Sequence, residues 1–287
     1  MSGPSPAPVE EAEEAAPPEA LRQHGLSPRR RRRLSRGAQY VLFAVALVLL
    51  ATLADWGRLQ QQFLDPNVAG QLFPDLITIA LFNTVVYTLT GFAVGLVLGL
   101  VIALMRLSSV GPYRWLAMAY IEFFRGLPAL LIFIFVGVGV PLAFPGLVFP
   151  GGTYGQVACA LGLVSAAYMA ETIRAGIQAV PRGQLEAART LGMSHATAMR
   201  SIVIPQAFRI IVPPLTNELV LLFKDSSLVL FLGVTLEQRE LTKFGRDLAS
   251  EEANTTPIFV AGLCYLLVTI PLGLLVRRLE ARHSKAR

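Results

Sequence analysis

Long apolar runs, separated by short polar stretches, set the plan of this chain. Six of them are read as membrane spans: 38–54, 76–104, 115–140, 154–172, 206–223 and 257–276. Most reach the ~18 apolar residues that mark a spanning helix. The run 228–234 is too short to span and is read as a re-entrant or interfacial segment. In the second span Gly91, Gly95 and Gly99 recur every fourth residue, so they share one helix face and admit a close neighbour. Asn83, Thr84, Tyr87 and Thr88 are polar enough to face a bundle interior, although threonine hydroxyls can also be satisfied by their own helix carbonyls. Glu122 with Arg125, and Glu171 with Arg174, stand three apart and can pair at the span ends. Pro213-Pro214 interrupts the fifth run, which predicts a bend there. The fold class expected is all-α, a polytopic membrane helical bundle of about six transmembrane helices.

Composition supports this plan. The chain of 287 residues is 54% hydrophobic and only 15% charged, too apolar for an ordinary soluble domain. Its formal charge of +6 comes mostly from arginines at span ends and in the tails, a pattern that orients membrane proteins and does not indicate nucleic-acid binding. Residues 1–37, rich in Pro, Ala, Glu and Arg, are expected to be a disordered cytoplasmic tail. Its arginines, Arg29 to Arg33 and Arg36, hold that end inside; binding anionic lipid is the alternative role. Arg277, Arg278, Arg282, Lys285 and Arg287 place the other terminus inside as well. The stretches 55–75, 141–153 and 235–256 then face outside, the last as a loop of mixed charge. Cys159 and Cys264 sit within apolar runs and imply neither disulfide nor metal. No phosphate-binding G-x-x-x-x-G-K-[ST], no H-E-x-x-H and no G-x-S-x-G occurs, so the chain carries no nucleotide site and no hydrolase motif of its own.

One polar stretch stands apart. Residues 186–205, EAARTLGMSHATAMRSIVIP, lie between two spans yet carry Glu186, Arg189, His195 and Arg200. Ala187, Ala188 and Leu191 form a short apolar stripe, Gly192 permits a tight turn, and Ser194 can cap a second helix whose Ala196, Met199 and Val203 share one side. Such a projecting helix–glycine–helix suits docking into a partner's groove; an amphipathic connector on lipid headgroups is the plainer alternative.

The residues Glu186-Ala187-Ala188, Gly192, Ile202 and Pro205 resemble the EAA motif of ABC-importer permeases, with Ile204 where the family usually has Leu. Flanking RGLP at 125–128, VPRGQ at 180–184 and LFKDSSL at 222–228 resemble the branch that moves polar amino acids. The resemblance covers roughly 73–278. It implies a type I importer permease in which 76–287 is the permease domain, 175–205 the coupling loop, and 38–75 an additional span with its outer loop. It further implies a multi-pass protein of the bacterial inner or plasma membrane. The partners would be two cytoplasmic ATPase subunits binding ATP and Mg, a second permease subunit and an extracytoplasmic amino-acid-binding protein. This chain would bind no cofactor itself.

A second polar cluster, Asn217, Glu218, Lys224, Asp225 and Ser226, follows the double proline. A zwitterion needs a group for its ammonium and another for its carboxylate, and this cluster offers both. Pairing of Lys224 with Asp225 or Glu218 is the structural alternative. Two other functions stay in view, a membrane scaffold that conducts nothing and an ion-coupled transporter acting alone. The first leaves the polar cluster unexplained, the second the EAA-like loop.

Overall fold

The computed structural model describes Gly3 and residues 28–284, and every regular element among them is helical. The tail expected to be disordered therefore lies mostly outside the described residues. The chain divides into two units, Met1–Asp55 and Trp56–Arg287. In the first, α1 (Pro28–Leu53) contains a 19-residue apolar segment, Ser35–Leu53, long enough to cross a membrane and with no part of it buried. The helix starts at Pro28, so residues 28–37 are helical where disorder was expected; proline is well tolerated in a first turn.

The second unit opens with two short helices, α2 (Trp56–Phe63) and α3 (Pro66–Gln71). The Asp65 side chain accepts the Asn67 N–H at 2.9 Å and caps α3. A π-helical turn, Leu76–Leu81, runs into α4 (Phe82–Leu107) to make one long apolar helix. α4 packs along α8 (Thr153–Gln178) through the glycine ridge read from the sequence. A Cβ on Gly91 would lie 2.5 Å from Leu161 Cβ, on Gly95 2.0 Å from Ser165 Oγ, and on Gly99 3.0 Å from both Ala166 O and Met169 Cβ. The register advances four residues on both helices together, so only hydrogen fits along this seam.

Between them the third expected span is not one rod. α5 (Gly111–Gly126) and the following run, α6 (Ala129–Ile134), a π turn at Phe135–Gly139 and α7 (Val140–Ala143), meet at 103° across Leu127-Pro128. Pro128 cannot continue the helix and disfavours helical geometry at Leu127, whose φ and ψ are extended. Gln156 of α8 donates to Val136 O at 3.2 Å and Gly137 O at 3.1 Å, supplying partners at the π turn.

After α9 (Arg182–Thr190) and α10 (His195–Ala198), a π turn at Met199–Val203 leads into α11 (Ile204–Asp225). α11 is continuous through Pro213 and Pro214 rather than interrupted. By length and composition four helices among the described residues qualify as spans, or five with the bent pair. The expected fifth run is not among them, because Arg209, Thr216, Asn217 and Glu218 dilute its apolar character. The segment Ser226–Leu232 forms a 3-10 helix with Ser226 and Val229 buried and Leu232 packed against Gly137, while Phe231 stays exposed.

The expected outer loop 235–256 is likewise largely helical. α12 (Leu241–Glu251) buries Leu241, Phe244 and Gly245, and packs its glycine against Pro257 and Ala261 of α13 (Thr256–Ser284). Its charges are absorbed locally. Lys243 Nζ lies 2.6 Å from Asp247 Oδ1, and Arg239, nearly buried, approaches Asp247 at 3.7 Å and stacks on Phe244.

Candidate functional site

The projecting element is built from α9, a glycine turn and α10. α9 ends in a Schellman arrangement, with Gly192 N–H donating to Arg189 O at 3.0 Å and Met193 N–H to Ala188 O at 3.1 Å. That closure requires a left-handed residue, and Gly192 supplies φ 84°. Ser194 Oγ then accepts the Thr197 N–H at 3.2 Å and caps α10, as the sequence predicts. The hydroxyl of Thr190 donates to Glu186 O, and Arg189 reaches Met193 O, so both ends of the turn are tied.

Inside and outside are divided differently from expectation. Ala188 and Ala198 are buried against the body, whereas Ala187, Ala196 and Leu191 face out; Leu191 is 84% exposed. Glu186 is exposed beside Ala187, Ile202 is half-buried, and Pro205 lies in the first turn of α11. Val203 is buried and Met199 partly so; with Ile177, Val180 and Leu185 they line a cavity of about 340 Å³ beneath the element. The end of α8 is fixed by Arg174, which pairs with Glu171 and donates to Gln178 at 3.0 Å. Glu122 and Arg125 do not form the expected pair; Arg125 lies over the Tyr168 ring, 5.4 Å from its centroid.

The second cluster is only partly gathered. Glu218 and Asp225 are half-buried and seven residues apart, hence on one face of α11, with Asn217 and Lys224 exposed. No hydrogen bond or ion pair within 4 Å joins Lys224 to Glu218 or Asp225, although the Lys224 charge acts on Asp225 at longer range. Ser226 is fully buried and its hydroxyl donates to Phe223 O at 2.7 Å, which commits it to the local turn. Among the described residues no group of His, Cys, Asp and Glu side chains could hold a metal ion.

Sequence reasoning missed a buried polar network joining α4 to the 235–241 segment. Asn83 donates to Glu237 O at 2.8 Å and Arg239 O at 3.0 Å, and accepts from Tyr154 at 2.6 Å. Tyr87 donates to Gln238 O at 2.9 Å. Thr84 donates to its own helix at Ala80 O, as considered, yet also accepts the Leu241 N–H at 3.1 Å. Next to these lies Glu240, with no exposed surface. Its Oε1 accepts the Lys243 N–H at 2.6 Å; its Oε2 accepts the Thr242 N–H at 2.5 Å and the Tyr265 hydroxyl at 2.9 Å. Burial pushes the Glu240 carboxyl up to about 7, against the pull of those donors. The polar run Asn83–Thr88 was the only hint in the sequence.

A multi-pass bundle of apolar helices, carrying a capped two-helix projection with small and charged residues turned outward, is the architecture of an integral membrane protein. The chain belongs to the family of binding-protein-dependent transport system inner membrane components, whose pattern matches residues 95–285. It is thus a transporter's permease subunit and not an enzyme. It is 40% identical over 208 residues to the probable glutamine ABC transporter permease protein GlnM of Bacillus subtilis, covering 71% of this chain and 92% of the relative. The arginine transport system permease protein ArgU of Corynebacterium glutamicum is 34% identical over 248 residues, 82% of this chain and 77% of that one. Among solved structures, an amino acid ABC transporter described with histidines superposes at a TM-score of 0.68 with 34% identity, covering 76% of this chain and 99% of that one.

Proposed function

We propose that this permease carries polar amino acids into the cell, and that the α9–Gly192–α10 element is its coupling lever. The observation that carries the reading is the division of that element, with Ala188 and Ala198 locked into the body while Glu186, Ala187 and Leu191 are offered outward. Two ATPase subunits, holding ATP and Mg, would each grip such an element, one from this chain and one from a second permease subunit. Both termini would then be cytoplasmic, in keeping with the basic residues at the start of α1 and at the end of α13. α11 would be a sixth crossing whose Asn217, Glu218, Lys224 and Asp225 meet the substrate path, with Ser226 holding the turn behind them. A binding protein would deliver the amino acid to the opposite face. Closure of the ATPases would move the lever and exchange the bundle between its two access states. The relatives named for glutamine and arginine support an amino-acid cargo.

The test is purification of the chain from native membranes in mild detergent, with its companions identified. A P-loop ATPase and a permease should co-purify, and the ATPase should be lost from Glu186→Lys. Recovery of the same ATPase with Glu186→Lys and with a Leu191→Asp variant would remove the lever from this role.

A further inference from the structure

The short helix α2 plays no part in the reading above, and it has an unusual surface. No residue of it is buried. Trp56, Leu59 and Phe63 follow one another at spacings of three and four, which places them on one face, and they are 56%, 41% and 39% exposed. Arg58, Gln61 and Gln62 occupy the opposite face. Eight residues are too few for a stable helix in water without a supporting surface.

Its attachment fixes where that surface is. Asn254 donates to Gln61 O at 2.9 Å, and Thr256 Oγ1, in the first turn of α13, accepts the Asp65 N–H at 3.1 Å. The Phe63 ring meets Phe259 edge-on, with centroids 6.4 Å apart. α2 therefore sits at the level of the first turn of a membrane span. Its apolar stripe is continuous, through Phe63 and Phe259, with the exposed Ile258, Leu263 and Leu266 of α13, a span almost wholly unburied.

We propose that α2 is an interfacial anchor, lying along the lipid surface at the Thr256 end of α13 with Trp56, Leu59 and Phe63 in the headgroup–acyl boundary. The partner is the bilayer itself. Tryptophan suits this depth because its ring is apolar while its N–H stays hydrated. The Arg58 and glutamine side then faces water, and a seating of about 5–10 Å into the boundary covers the stripe.

This chain has two tryptophans, so Trp115→Phe leaves Trp56 as its single one, and subtracting the emission of the same complex bearing Trp56→Phe as well removes that of the partner subunits. The intact complex bearing it would be reconstituted into phosphatidylcholine–phosphatidylglycerol vesicles, with lipids brominated either near the headgroup or near the chain end. The expected result is strong quenching by the shallow bromines, weaker quenching by the deep ones, and loss of most acrylamide quenching relative to free tryptophanamide. Full acrylamide quenching without bromine quenching would overturn the proposal in favour of a solvated helix. Protection from both quenchers would overturn it in favour of cover by another protein copy. Should Trp115→Phe not assemble, the difference between wild type and Trp56→Phe gives the same signal.

Discussion

Glu240→Gln isolates the carboxylate that caps and anchors the first turn of α12. Glu240 is fully buried, and three donors surround it, the N–H groups of Thr242 and Lys243 and the Tyr265 hydroxyl. The basic groups nearest in sequence, Lys243 and Arg239, both turn to Asp247 instead. The carboxyl titrates at about 7 in the folded protein, raised from the ordinary 4.5. A native state that holds its proton more tightly than the unfolded chain is favoured at low pH. The contribution is full below about 4.5 and is lost as the pH climbs through about 7. At about 1.4 kcal/mol per pH unit of displacement, the whole effect is on the order of 3 kcal/mol. Glutamine stays neutral throughout, and it sacrifices one N–H acceptor, at about 1 kcal/mol, equally at every pH. The assay is the thermal midpoint of the purified complex from pH 5 to 8.5, for wild type and Glu240→Gln. The wild-type advantage should shrink or reverse as the pH rises, by several degrees. A constant difference across that range would refute the assignment of a titrating buried anchor.

Further outcomes follow from the packing. Gly95→Ala drives a Cβ into Ser165 Oγ at 2.0 Å and Ser165 Cβ at 3.1 Å, and should lower stability by about 1–3 kcal/mol. Adding Ser165→Gly should restore most of it, as read by the thermal midpoint. Gly99→Ala meets backbone at Ala166 O and Ala170 N and should resist rescue by any single side-chain change on α8. Asn83→Leu leaves the carbonyls of Glu237 and Arg239 and the Tyr154 hydroxyl without their partner. It should cost about 1–3 kcal/mol and raise hydrogen exchange in residues 235–241 before it does so in α4 or α8. Lys224→Ala, on an exposed side chain that makes no hydrogen bond and acts on Asp225 only by its charge, should change stability little while lowering amino-acid uptake. Normal uptake would remove it from the path.

The glycine ridge was legible because a four-residue period of Gly in an apolar run has few other uses, and Gly91, Gly95 and Gly99 meet α8 as that period implies. The Gly192 turn and the Ser194 cap were equally legible, since each rests on backbone rules local to a few residues. The nature of residues 235–252 was not. Their charges read as a solvated loop, but Asp247 takes up Lys243 and Arg239 within two helical turns, and backbone N–H groups take up Glu240. That leaves Leu241, Phe244 and Gly245 free to bury. The bend at Leu127-Pro128 has its local cause in the proline, but the apolar run 115–140 read as a single span and hid it. At the projecting element the sequence placed Ala187, Ala188 and Leu191 on one stripe. Only the fold separates the locked Ala188 from the outward Leu191.

Amino-acid uptake per ATP hydrolysed by the reconstituted complex, compared between wild type and Gly192→Val, bears most directly on the lever. At φ 84° a β-branched residue is strained by about 1–2 kcal/mol even though a Cβ there meets open space, so the change acts on the turn and not on packing. The spans should insert and the complex assemble as before, and uptake per ATP should fall sharply because closure of the ATPase no longer moves the bundle. Unchanged uptake per ATP, in a complex shown to carry the substitution, would contradict the central role given to this element.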